Sequence, residues 1–304
     1  MIKQEEALAL FQETLAAEVR TLSPIKIRRY RWRTGKGTPE TMVLLLSDTH
    51  IGHKTRSFNI SVFNQRLRAL EENLMRITRV QIRDHPVDNL VILVLGDIIQ
   101  NDRIGQLISL DELQGTVWEQ MKVALTLFPE FFVNLLAAFK RIDIYCVAGN
   151  HGSLGKFAGT TTNWDLIIYN FWQQNLANQP NIHFHLTEEF YQMVRIENKK
   201  FLCVHGDQIR MWMNIPFYGA IQAFMRWYCS IGRFDYGVCG HFHTIGNINW
   251  NEFELFLNGC FVTDDMYVLK RIKMMGTAAQ MAFSVHPKVG VTARYHLYLN
   301  RLVR

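Results

Sequence analysis

The sequence predicts an α/β protein in which two sheets pack together with helices on the outside. Three observations predict it. From Met42 onward, short apolar runs alternate with amphipathic helical stretches. In the second half, strand-like segments follow one another directly. No internal repeat, low-complexity tract or apolar stretch near the ~18 residues of a membrane span interrupts the pattern. The 304 residues suffice to bury a substantial core.

The elements follow in order. Residues 4–20 have helical spacing, with acidic residues near the start and Pro24 beyond the end. The segment IKIRRYRWR is strand-like and carries Lys26, Arg28, Arg29, Arg31 and Arg33. It reads as an edge strand whose charges discourage aggregation. The competing reading is a phosphate-contacting ribbon with Tyr30 and Trp32 as stacking platforms. Gly35 to Pro39 form a turn or short linker, so residues 1–40 are expected to be appended to a domain spanning 41–304. There, MVLLL, LVILVLG and IDIYCVAG read as buried strands. Residues 60–84 and 113–139 read as helices, the second broken or kinked at Pro129. Thr162-Asn163-Trp164-Asp165 resembles a capping box before LIIYNFWQQNL. YQMVRI and KFLCVHG flank Glu197-Asn198 as a hairpin, and residues 216–230 look helical. YGVCG, EFELFLNG, MAFSVH and ARYHLYL look like further strands.

Composition narrows the class. Hydrophobic residues make up 48% and charged residues 20%, the balance of a soluble globular protein. The opening MIKQEEALAL lacks a basic flank and apolar stretch, which speaks against a secretory signal. The five cysteines are odd in number and form no CxxC pair, so neither a disulfide framework nor a thiolate zinc site is indicated. Cys146, Cys203 and Cys239 read as core residues, and a reducing cytoplasm is the expected location. The net charge of +6 tilts the chain toward anionic partners.

Five short motifs carry the chemistry, each directly after an apolar run. They are Asp48-Thr49-His50, Gly96-Asp97, Gly149-Asn150-His151, His205-Gly206-Asp207 and Gly240-His241-Phe242-His243. Ligands gather at the carboxyl ends of strands in open α/β sheets, and every motif lies where that rule puts a site. Residues i and i+2 on an extended chain point the same way, so Asp48 and His50, like His241 and His243, can aim at one centre. Singly, each motif is an ordinary turn, helix cap or core histidine. As a set they supply ligands for two adjacent metal ions with one histidine left over for proton transfer. Paired metals about 3.5–4 Å apart are a recurring way to cleave phosphate esters. Carboxylate, imidazole and amide donors suit manganese, iron or zinc better than calcium. Two dications against Asp48, Asp97 and a hydroxide leave residual positive charge for a phosphate ester.

The set D-x-H, G-D, G-N-H, H-G and G-H-x-H, over residues 42 to about 250, is similar to the calcineurin-like metallophosphoesterase superfamily. The resemblance implies a four-layer α/β/β/α sandwich of two mixed sheets holding two divalent metals, manganese foremost, with iron or zinc as alternatives. Asp48, His50 and His243 would hold one metal and Asn150, His205 and His241 the other, with Asp97 bridging. His151 would contact the phosphate and protonate the leaving oxygen, while a metal-bridging water or hydroxide attacks. GNHG, NWDLIIY and HGDQIR together resemble a branch frequent in bacteriophage genomes, which implies host cytoplasm.

Departures from the pattern refine the expectation. The family commonly has an acid after G-N-H that helps orient the histidine, where this chain has Gly152; Asp165 or Asp207 are the candidates to replace it. The segment Gly-Asp-Ile-Ile-Gln-Asn-Asp-Arg lacks the G-D-x-V-D-R-G signature of Ser/Thr protein phosphatases, although Arg103 is placed to contact phosphate. Repair nucleases of the superfamily often have a histidine three residues past the bridging aspartate, and here Gln100 stands there. His53 reads as a site-lining or solvated loop histidine. GSLGK with Phe157 only faintly resembles a nucleotide loop. Met211, Trp212 and Trp227 read as core or lid residues. The expected activity is phosphodiester cleavage in DNA, RNA or nucleotides, with a small-molecule phosphomonoesterase or a non-catalytic scaffold as alternatives.

Overall fold

The computed structural model describes residues 35–102, 110–154, 162–213, 215–265 and 277–300, together with two isolated helical positions, 13 and 17. The basic segment 25–33, Arg103, and Gly155 to Phe157 lie outside the described residues.

The apolar runs pair into two mixed sheets. The first has the order β11-β10-β1-β2-β3-β4. Its strands are β1 (Thr41–Leu46), β2 (Asn89–Val94), β3 (Arg141–Cys146), β4 (Ile182–Leu186), β10 (Ala279–His286) and β11 (Gly290–Tyr298). β1 to β4 run parallel, and β10 and β11 close one side antiparallel. The second sheet has the order β5-β6-β7-β9-β8. It comprises β5 (Tyr191–Ile196), β6 (Lys199–Val204), β7 (Tyr236–Cys239), β8 (Gly246–Trp250) and β9 (Phe253–Leu257), with β6, β7 and β9 parallel. The helices are α1 (Ile60–Gln81), α2 (Val117–Leu135), α3 (Trp164–Asn175) and α4 (Pro216–Ser230).

Alternation along each strand sorts the core into three layers of contact. Met42, Leu44 and Leu46 of β1 face a cluster built with Phe63, Phe128, Phe132 and Trp172 of α1 to α3. The intervening Val43 and Leu45 face the second sheet, where Phe201, Phe256 and Phe283 stack between the layers. The far face of the second sheet, through Leu202, Val204 and Leu255, packs on Ala220 and Phe224 of α4. Three apolar interfaces between four layers make the α/β/β/α sandwich.

Several local expectations need correction. α1 ends at Gln81, short of residue 84, and α2 runs from Val117 to Leu135 with Pro129 buried inside it and no break. The reciprocal capping box belongs to Thr116 and Glu119 at the start of α2. At α3 the cap is Asn163, whose side chain accepts from the Asp165 N–H; Thr162 has no part in it. The Gly35–Pro39 turn stands as read, with Gly35 and Gly37 donating to the main-chain carbonyls of Ile82 and Asp84. Cys146, Cys203 and Cys239 are buried core residues as expected, and Cys260 joins them.

Candidate metal centre

All five motifs sit where parallel strands end: after β1, β2 and β3 in one sheet, and after β6 and β7 in the other. The two sheets face each other, so the five turns meet at one edge of the sandwich. Asp48, His50, Asp97, His241 and His243 all have left-handed backbone, with φ of 53°, 44°, 57°, 67° and 54°. That conformation costs a non-glycine residue free energy, and it bends each chain sharply enough to aim the side chain inward.

The side chains form three groups with donor atoms close together: the triads Asp48–His50–His243 and Asp97–His205–His241, and His50–Asp97–His151, which shares one member with each. In the first, the Nε2 atoms of His50 and His243 are 3.0 Å apart, and Asp48 Oδ1 lies 3.9 and 3.4 Å from them. In the second, His205 Nε2 lies 3.1 Å from Asp97 Oδ2, 3.0 Å from Asn150 Oδ1 and 3.3 Å from His241 Nδ1. Asp97 Oδ2 is also 4.0 Å from His50 Nε2 and 4.0 Å from His151 Nε2, so it stands between the triads. Asp48, His50, Asp97 and His205 are buried, whereas Asn150, His151, His241 and His243 are half-buried and form the open side.

The donor set fits divalent cations. Nitrogen and oxygen donor atoms crowd one another here. Burial, reinforced by neighbouring His151 and His243, holds His50 well below the ordinary histidine range. Burial likewise depresses His241, to about 4, so both imidazoles present free lone pairs at neutral pH. Burial disfavours charge on His205 as well, but the Asp97 carboxylate outweighs it and lifts His205 to about 10, a proton standing in for a cation. His205 Nδ1 lies 2.6 Å from the Leu95 carbonyl oxygen; donation there fixes the tautomer and leaves Nε2 for a ligand. His50 Nδ1 is buried without a partner.

His151 belongs to neither triad but joins the cluster through the His50–Asp97–His151 group. Its backbone N–H donates to Asp97 Oδ1 at 2.7 Å. Its Nδ1 faces the main-chain oxygen of Gln100 at 3.0 Å, and neither acid proposed to orient it does so. Asp207 is exposed and bonded to Gln208. Asp165 instead accepts from the backbone N–H groups of Asp97, Ile98 and Gly149. Burial and the nearby Asp97 charge push its carboxyl up to about 7 against those three donors. Gly152 is bare for a steric reason: a Cβ there would fall on Asn163 Oδ1, inside the α3 cap.

For two further side chains the structure selects between the alternative readings. His53 is buried, not solvated, with its ring 6.4 Å from that of His50 and Nδ1 4.0 Å from Asp265. Trp212 is 68% exposed, so it is not a core residue, while Trp227 packs against Phe190 and Phe224. No helix among the described residues is long and apolar enough to cross a membrane.

Comparison with curated proteins gives no match. Among solved structures, the zinc complex of wild-type Vps29 from Entamoeba histolytica is 12% identical, with 84% of this chain and 99% of that one covered, at a TM-score of 0.40. A novel archaeal phosphodiesterase is 10% identical over 84% and 99%, at 0.39. A hypothetical protein of Pyrococcus horikoshii is 10% identical over 84% and 87%, at 0.41. The calcineurin-like phosphoesterase profile matches residues 41–244, a span that runs from the start of β1 through His243 and so takes in every motif of the cluster; the chain belongs to that family.

Proposed function

We propose that this chain is a two-metal phosphoesterase acting on phosphodiesters of nucleic acids or nucleotides. The observation that carries the chemistry is the placement of Asp97 between two nitrogen-rich triads, with His151 a member of neither and grouped with His50 and Asp97, its Nε2 4.0 Å from Asp97 Oδ2. Asp48, His50 and His243 would hold one divalent cation and Asn150, His205 and His241 the other, with Asp97 shared. Manganese fits the donor types, as do iron and zinc. When bound, such a pair supplies Lewis-acid polarisation of the phosphoryl group and lowers the pKa of water.

The remaining work falls to the protein. Donation from His151 Nδ1 to the Gln100 carbonyl aims Nε2 toward the open side of the cluster, where a substrate phosphate enters. A proton on Nε2 would pass to the departing ester oxygen as the P–O bond breaks, while a hydroxide oxygen forms the new bond to phosphorus. Burial of Asp48, Asp97 and His205 keeps bulk water from screening these charges.

Three features favour a nucleic-acid or nucleotide substrate. The net charge is +6, and the protein-phosphatase signature is missing after Asp97. Trp212, on the chain between His205 and α4, and Tyr218, in the first turn of α4, are 68% and 61% exposed, aromatic faces on which bases can stack. Gln100 in place of the histidine common in repair nucleases favours the second reading, a small-molecule phosphomonoesterase. The complete ligand set speaks against a scaffold without activity. Hydrolysis of bis-p-nitrophenyl phosphate with manganese, with Asp97→Asn alongside, tests the chemistry. A panel of single-stranded, double-stranded and small phosphate esters tests the substrate. No turnover with any divalent metal would leave the scaffold as the better account.

A further inference from the structure

Asp165 belongs to none of the five motifs, yet it touches two of the turns that carry them. It lies in the first turn of α3 and is fully buried. An acid in a first turn ordinarily serves its own helix. Here Asn163 already caps α3, which leaves the Asp165 carboxylate free to reach outward. Its Oδ2 accepts from Asp97 N–H and Gly149 N–H, each at 2.9 Å, and its Oδ1 from Ile98 N–H at 3.1 Å. One oxygen therefore staples the β2 turn to the β3 turn. Asn163 adds a second tie, donating from Nδ2 to the Gly149 carbonyl at 2.9 Å.

The tie matters because of what Asp97 does next. Its backbone is left-handed, so its N–H points out of any ladder and needs a buried acceptor. Its Oδ1 is occupied by the His151 N–H, which fixes Oδ2 as the atom shared between the triads. Moving the Asp97 backbone relative to Gly149 would move Oδ2 and Asn150 apart. The bare Gly152 is the other half of the same arrangement, since Asn163 fills the space where a side chain would sit.

We propose that Asp165 is a positioning residue for the metal cluster, its carboxylate setting the separation of the Asp97 and Asn150 turns and hence the affinity for both cations. The proposal rests on the reading that the cluster holds divalent metals. An asparagine cannot replace it, because the amide has one acceptor oxygen and would turn its NH2 toward an N–H donor.

The test is calorimetric titration of the chelator-stripped full chain with manganese chloride. The comparison variant is Tyr169→Phe, which removes another buried hydrogen bond of α3, from Tyr169 Oη to the Val147 carbonyl, without touching Asp97 or Gly149. Asp165→Asn is expected to weaken manganese binding by about 10–100-fold, the usual cost of losing such a partner, while Tyr169→Phe leaves it unchanged. Wild-type affinity in Asp165→Asn, or an equal loss in Tyr169→Phe, overturns the positioning role. If Asp165→Asn does not fold, Asp165→Glu takes its place: it keeps both oxygens but lengthens the arm, and wild-type affinity there overturns the role equally. A wild-type chain that binds no manganese, zinc or iron sinks the metal reading itself, and this role with it.

Discussion

The Nδ1 atom of His151 lies 3.0 Å from the main-chain oxygen of Gln100, so a neutral peptide dipole, not a carboxylate, orients the imidazole. The position three residues past Asp97 thus acts through its backbone, and its side-chain identity is released from that task. If His151 is the proton donor, His151→Ala should keep its metals and lose about 10²–10⁴-fold in kcat. The loss should be greatest with esters of poor leaving groups, which need the proton most. Metal analysis of the purified variant checks the role, and depleted metal would overturn it.

Removing the cations should abolish hydrolysis and lower the thermal midpoint. The two aspartates and crowded imidazoles then lose the charge that holds them together. At free manganese about 100 times Kd, each site should add about 2.7 kcal/mol to the folded state. Thermal unfolding across a manganese series measures this, and a midpoint indifferent to metal would contradict it.

Gly152→Ala should be costly for its size. The new methyl group meets Asn163 Oδ1, the acceptor that caps α3, and the helix start must shift to admit it. Destabilisation of about 1–3 kcal/mol is expected from such overpacking, accompanied by weaker metal binding because Asp165 moves with the cap. Urea unfolding with and without manganese separates the two effects. Wild-type stability would show that the turn relaxes freely.

Trp212→Ala should distinguish a polymer from a small substrate. If the exposed indole stacks on a base, single-stranded DNA or RNA binding should weaken by about 1–3 kcal/mol, with bis-p-nitrophenyl phosphate turnover unchanged. Neutralising Arg28, Arg29 and Arg31 should weaken nucleic-acid binding and flatten its dependence on salt. Equal binding across these variants would favour the small-molecule reading.

The parts of this fold that were legible in the sequence are those where one apolar run meets one chemical motif. β1 and β2 are buried on both faces and therefore read as continuous apolar stretches, whereas β3 alternates buried Ile142, Ile144 and Cys146 with more exposed residues and reads as a strand by its period of two. The motif residues could be grouped because strand ends converge in a known way. β4, with IHFHL, and β8, with GNINW, are five-residue edge strands, too short for their polar–apolar alternation to stand out. Pro129 reads as a break locally, yet tertiary packing of Phe128, Phe131 and Phe132 holds α2 together around it. In the sequence Asp165 reads as a candidate to orient His151, a task that the Gln100 carbonyl performs. Sequence spacing marks it as a helix-start acid, and only the fold shows that its oxygens face another loop's N–H groups. The Gln100 carbonyl leaves no sequence signal, because every residue has one.

The left-handed turns at Asp48, His50, Asp97, His241 and His243 set a direction for evolutionary drift. Each holds a residue type that would relax by about 1 kcal/mol or more if glycine replaced it where no packing is lost. A lineage that ceased to use the pocket would find its decay thermodynamically downhill, starting with half-exposed His241 and His243. Disuse in this scaffold would accordingly yield a sturdier but inert descendant, with the outer histidines the first to go.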